Sequence, residues 1–160
     1  MEKLLRLEGT MKVKEIMDKY PVTVQKDTTL QVVAEELSKH RVTSLPVVSE
    51  DGKLEGIISE GDLLYKKIRP HTPEYLNLLG ASIFYGGLGK FDEEFHKLLG
   101  THVADIMTYD VVTCTEDDDV EDVALIMVEK HLKMLPVVNA NRVIGVVSRT
   151  DIIALIAQEK

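Results

Sequence analysis

Two short strings hold the residues of this chain best suited to chemistry: Gly56–Ile57–Ile58–Ser59–Glu60–Gly61–Asp62 and Gly145–Val146–Val147–Ser148–Arg149–Thr150–Asp151. Each runs from an apolar stretch into a polar turn, so Ser and Asp stand where a buried strand hands over to a helix. Ser is a favoured helix N-cap, and Asp three residues later suits a first helical turn. Capping explains one such corner well. It explains less well why both copies keep Ser, spacing and Asp while the residues between them drift. Backbone N–H groups converge on an anion at such a corner, and a carboxylate there accepts hydrogen bonds from the vicinal hydroxyls of a ribose. The pattern leaves capping and ribose-phosphate binding both open.

Other candidate chemistry falls away. Gly86–Gly87–Leu88–Gly89–Lys90–Phe91 looks like a phosphate loop, but Phe84 stands where that motif needs glycine and Phe91 where it needs Ser or Thr. The histidines His40, His71, His96, His102 and His131 show no paired ligand spacing. The acidic run Glu116–Asp119 reads as a helix N-terminus rather than a metal site. No G-x-S-x-G elbow is present, so the expectation is a protein that is not an enzyme.

The two corners belong to a longer repeat. Val13–Lys14–Glu15–Ile16–Met17 falls on Val103–Ala104–Asp105–Ile106–Met107, Val22–Thr23 on Val112–Thr113, and Leu45–Pro46–Val47–Val48 on Leu135–Pro136–Val137–Val138. Order and register hold throughout, with one residue fewer in the second copy's turn. Two copies are too few for a solenoid, so a pseudo-symmetric pair is expected. Within each copy the spacing predicts a strand at Pro21–Val24, with Cys114 in the matching strand as a small core residue. A helix follows Asp27–Thr29 or Asp117–Asp119. A strand entered through Pro46 or Pro136 comes next, then a turn at Glu50–Lys53 or Asn139–Arg142. The return strand is Leu54–Ser59 or Val143–Ser148, and a last helix opens near Glu60–Leu64 or Arg149–Ile153. The unit is βαββα.

Tyr65 to Thr101 has no counterpart in the repeat. Glu74–Leu79 and Phe91–Leu99 read as short amphipathic helices, which makes the insert partly helical. Its many large apolar groups, from Leu76 to Leu99, predict packing against the module's flank or a second copy, and so a homodimer. The 160 residues are 44% hydrophobic and 29% charged, ordinary globular values. A net charge of −8 argues against a broad nucleic-acid footprint. No apolar run spans a membrane, no signal peptide is visible, and a single cysteine suits a reducing compartment, so a cytoplasmic location is expected.

These strings resemble tandem CBS domains, the Bateman module. The carriers are V-K-E-I-M with V-A-D-I-M, H-R-V-T-S-L-P-V-V with H-L-K-M-L-P-V-V, and the two G-x-x-S-x-x-D strings. The resemblance covers 11–66 and 101–157 and leaves 67–100 as an inter-repeat insert. It implies an α/β (α+β) fold of two βαββα units packed through their sheets, dimerising into a disc. It implies two clefts for an adenosine nucleotide (AMP, ADP or ATP) as regulatory ligand, and an effector protein the sequence does not name. Carried over by position, one cleft uses Ser148 and Asp151 with Met17, Val22 and Val42. The other uses Ser59 and Asp62 with Met107, Val112 and Leu132. His40 and Arg41 are the phosphate partners for the Asp62 cleft, Lys130 and His131 for the Asp151 cleft, and Arg149 is a further one. A structural homodimerisation module with no bound nucleotide is the alternative.

Overall fold

The computed structural model describes residues 10–66, 74–78, 81–85 and 100–158. In the first repeat, Thr29 caps helix α1 (Leu30–His40), its Oγ1 accepting from Val32 N at 3.5 Å. Leu30, Val33 and Leu37 recur at helical spacing and are buried. Arg41 ends the helix in the left-handed region at φ 54°, its N–H donating to the Leu37 and Ser38 carbonyls. Strands β1 (Ser44–Val48) and β2 (Leu54–Ser59) pair antiparallel with Leu45 opposite Ile58. Leu45, Val47 and Ile58 face α1 in one apolar core. A helical turn of the π type, Asp62–Lys66, closes the unit.

The second repeat builds α3 (Val120–Glu129), β5 (Met134–Asn139), β6 (Arg142–Ser148) and α4 (Arg149–Gln158) in the same order. Its hairpin turns through Ala140 and Asn141 at φ 48° and 63°, a left-handed pair that matches the twist of the flanking strands. Its own core gathers Val123, Met127, Leu135, Val137, Val147 and Ile152 around Cys114. Burial pushes the Cys114 thiol up to about 12, so it stays protonated and acts as a small apolar group, as expected.

The units are joined by an exchange. The leading segment of the first repeat, Met11–Asp18, packs on the second: Val13 N and Lys14 N donate to Asp118 O and Glu116 O (3.0 Å each), and Asp18 bridges Val146 of β6. Val13 is fully buried in the second repeat's core. The leading segment of the second repeat does the reverse. Val103 N and Ala104 N donate to Thr28 O and Lys26 O, Thr108 bridges Ile57 of β2, and Val103, Ile106 and Met107 enter the first core from the short helix α2 (Val103–Ile106). The glycine of each corner string makes this approach possible. A Cβ on Gly56 would come within 2.9 Å of Met107 Sδ and Thr108 O, and one on Gly145 within 2.6 Å of Asp18 O. The hairpins also meet at their turns, where Leu54 N donates to Asn141 O and Val143 N to Gly52 O.

Several expectations need correction. Pro21–Val24 is not a strand: only Val24 bridges Val47, and Cys114 bridges Val137, because each stretch offers one residue between two hydrogen bonds to its neighbour. The central strands begin at Ser44 and Met134, two residues before the prolines, whose carbonyls accept from Val24 N and Cys114 N at 3.1 Å. Glu74–Leu79 is not helical. Strand β3 (Glu74–Leu78) pairs with β4 (Ala81–Tyr85), Leu76 opposite Ile83. The stretch carries β-favouring Tyr75, Ile83, Phe84 and Tyr85 around Leu79–Gly80, a hairpin signal that outweighs the leucines. Phe91–Leu99 and the glycines at 86, 87 and 89 lie outside the described residues. Asp119 occupies the N-cap of α3 but makes no side-chain cap. Its Oδ1 instead takes Lys12 Nζ at 2.7 Å, and Asp117 takes Lys14 at 2.8 Å, so the acidic run holds the exchanged segment.

Two predictions follow from this exchange. Gly145→Ala must push the Met17–Asp18 backbone off β6 and is expected to cost about 1–3 kcal/mol, read as a lowered urea midpoint. Gly52→Ala, strained only by its own φ of 82°, should cost about 1 kcal/mol. The lysine ammoniums hold the Asp117 and Asp119 carboxyls below the usual carboxylate range, chiefly through the hydrogen bonds from Lys14 and Lys12. Depressed carboxyls stabilise above the unfolded range and lose that contribution as pH falls through the folded values. NMR shifts of Val13 and Asp18 amides should therefore move on acidification below the usual carboxylate range before the Leu45 amide does.

Candidate functional site

Each corner is built the same way. At the end of β2, Ser59 N and Oγ both donate to Asp62 Oδ2 (2.8 and 2.9 Å), and Asp62 N donates back to Ser59 Oγ at 3.3 Å. At the end of β6, Ser148 N and Oγ donate to Asp151 Oδ2 at 2.7 Å each, and Asp151 N returns at 3.3 Å. The capping reading thus holds in both copies. It also fixes each carboxylate against rotation, with Asp62 only 6% exposed and Asp151 half-buried. Asp151 uses one carboxylate oxygen for these bonds, and Oδ1 receives no hydrogen bond from a described residue.

Residues paired across a hairpin share a face. Ser44 lies opposite Ser59, and Met134 opposite Ser148. Leu45, Val47, Leu135 and Val137 enter the cores, so Ser44 and Met134 occupy the other sheet face beside their corners. Both are buried, at 7% and 6% exposure. One corner is therefore flanked by a hydroxyl and its counterpart by a thioether. Sequence reasoning missed both positions, although the hairpin register would have found them.

The remaining candidates fall into three groups, on the exchanged segments, against the cores and at the helix ends. Met107 Sδ rests on Gly56 of β2, three residues before Ser59, and Met17 Sδ on Gly145 of β6, three before Ser148. Val22 and Val42 pack against the first core, Val112 and Leu132 against the second. His40 Nε2 pairs with Glu36 at 3.1 Å on its own helix. Arg41 and His131 hold equivalent left-handed positions after their helices, at φ 54° and 55°, and Lys130 is the C-cap of α3. Arg149 departs most from a phosphate role. Its Nε donates to Leu132 O at 2.6 Å and its Nη2 to Met127 O at 3.2 Å, so the guanidinium satisfies carbonyls at the end of α3. Glu60, at the matching place in the first repeat, forms an ion pair with Lys133 of the second. Among the described residues no group of three His, Cys, Asp or Glu side chains gathers as a metal site. None of their helices is long and apolar enough to cross a membrane.

Known proteins share this architecture. The CBS domain family model matches residues 13–68 and 103–158. An uncharacterized protein of Methanocaldococcus jannaschii, MJ1426, is 36% identical over 152 residues, 89% of each chain. The CBS domain pair of protein MJ0100, solved with 5′-methylthioadenosine and S-adenosyl-L-methionine, is 28% identical with a TM-score of 0.70, covering 95% of this chain and 100% of that one. CBSX2 of Arabidopsis thaliana, solved with AMP, has the same fold at 24% identity and a TM-score of 0.69, over 92% and 96% of the chains. Repeat, topology and corner strings agree with the match over both halves: the chain belongs to the CBS domain family and carries the domain twice.

Proposed function

We propose that this CBS pair is a regulatory, non-catalytic module that binds an adenosine compound, AMP, ADP or ATP among the candidates, in clefts along the seam between its repeats. The observation that carries the reading is the duplicated corner. A Ser-held carboxylate ends a strand on which the other repeat's leading segment lays a methionine. A fixed carboxylate suits two vicinal hydroxyls, and the half-buried Met17 offers a polarizable apolar surface for a purine, whereas Met107 is buried in the first core. The ligands of MJ0100 and CBSX2 share adenosine and differ at the 5′ position, which agrees with recognition centred on ribose and base. The occupied state would act on an assembly or an effector protein.

Calorimetry with AMP, ADP, ATP, S-adenosylmethionine and GMP tests this. At least one adenosine compound should bind, and GMP should bind at least tenfold more weakly than AMP; equal affinity for the two refutes the assignment. Hydrogen bonds to a charged group contribute ~1.5–3 kcal/mol each, so Asp62→Ala or Asp151→Ala at a working cleft should weaken binding tenfold or more, and Asp→Asn less. If the double alanine variant binds like the parent, the corners are caps alone.

A second reading, a homodimer, is favoured by a particular observation. On α3 and α4, Leu125, Val128, Ile153 and Ile156 are 56%, 66%, 63% and 42% exposed, a set of large apolar groups on two helices that pack together. A second copy of this chain would cover them. Light scattering should give twice the monomer mass, falling to the monomer for Val128→Glu with Ile153→Glu.

A further inference from the structure

The two corners are alike in backbone and unlike in charge. Glu60 N donates to Thr43 O at 2.9 Å, and Arg149 N donates to Lys133 O at 3.0 Å, so 43 and 133 are equivalent, as are 60 and 149. The side chains at these positions break the symmetry. Lys133 leaves its own repeat and pairs with Glu60, two residues from Asp62. Thr43 carries no charge, and Arg149 is turned to the carbonyls of Leu132 and Met127. Among the described residues, only the Asp62 corner therefore has a cation supplied from the other repeat, and that cation is held by an internal anion.

A ribose is short, so a 5′ substituent lies within one side-chain length of the carboxylate that holds its hydroxyls. We propose, resting on the adenosine reading above, that the Glu60–Lys133 pair sets which 5′ substituent the Asp62 cleft accepts. Lys133 is the partner of a 5′-phosphate, and Glu60 is the built-in competitor that the phosphate must displace. Both side chains are about half exposed (54% for Lys133, 42% for Glu60), so the pair is weak and exchangeable. A phosphate brings more charge and more acceptor oxygens than a carboxylate. A ligand with a thioether at the 5′ position leaves the pair closed. Arg41, exposed and in the same repeat two residues before Thr43, would add to the attraction, and no acidic group among the described residues forms an ion pair with it.

The test reads the ratio of affinities for AMP and 5′-methylthioadenosine by calorimetry, with Asp151→Ala present throughout so that the Asp62 cleft is observed. Glu60→Gln should shift the ratio toward AMP by roughly five- to tenfold, and Lys133→Met should shift it away from AMP by a similar factor. The substitutions are at a surface pair, and an unchanged urea midpoint will show that each variant folds. If ligands bind and neither variant changes the ratio, the inference is overturned while the adenosine reading stands. Loss of all binding in the Asp151→Ala chain also overturns it, since the Asp62 cleft is then empty. If the parent chain binds neither ligand, this inference is overturned, and the adenosine reading fails with it only when ADP, ATP and S-adenosylmethionine do not bind either.

Discussion

Everything in this molecule depends on each repeat surrendering its leading segment to the other. Val13 fills the second core and Val103 the first, both fully buried, so neither core is complete without the opposite half. A half-length unit has too little interior to fold well alone, and exchange lets two such units share their apolar surface. The glycines at 56 and 145 are the condition for it. Any side chain there would collide with backbone oxygen of the incoming segment, which no rotamer change can relieve.

The same exchange brings the candidate ligand groups together. The glycine that admits the foreign segment and the serine that begins the corner lie on one strand, three residues apart. Met17 and Met107 thus lie on the strand that ends in the other copy's Ser–Asp corner, on its core face. Capping and the proposed ligand binding are compatible in this geometry. The bonds from Ser59 or Ser148 to one Asp oxygen order the turn and fix the carboxylate, so the cap that stabilises the turn is also the preorganisation that the proposed ribose contact needs.

How much of this was legible in the sequence follows from which signals are local. The repeat, the hairpins, the buried faces of α1 and α3 and the corner strings are patterns within a few residues of each other, and the structure carries them. The exchange was not legible. Val13 and Val103 occupy equivalent places in the alignment, and nothing in either string says which copy it packs against. The acidic run at Glu116–Asp119 does open α3, as its composition says, but its pairing was hidden for that reason, since Lys12 and Lys14, which neutralise it, lie far away along the chain. The Glu60–Lys133 pair was hidden in the same way, between positions that do not align. The hairpin at Glu74–Tyr85 was missed for a different cause: leucine suits both periods, and its neighbours decide.

The exchange also orders events in time. On a ribosome the Met11–Asp18 segment emerges well before its partner strand β6; Lys12 and Asp119 alone stand 107 residues apart. Until β6 appears, Val13, Ile16 and Met17 have no core to enter. The first repeat waits as well, because its interior needs Val103 and Met107 from beyond the insert. Contacts so distant along the chain close slowly, and the nascent first half remains without its final interior until the second repeat's leading segment has emerged. The gene's duplication therefore yields a product that matures only when its second copy has been translated.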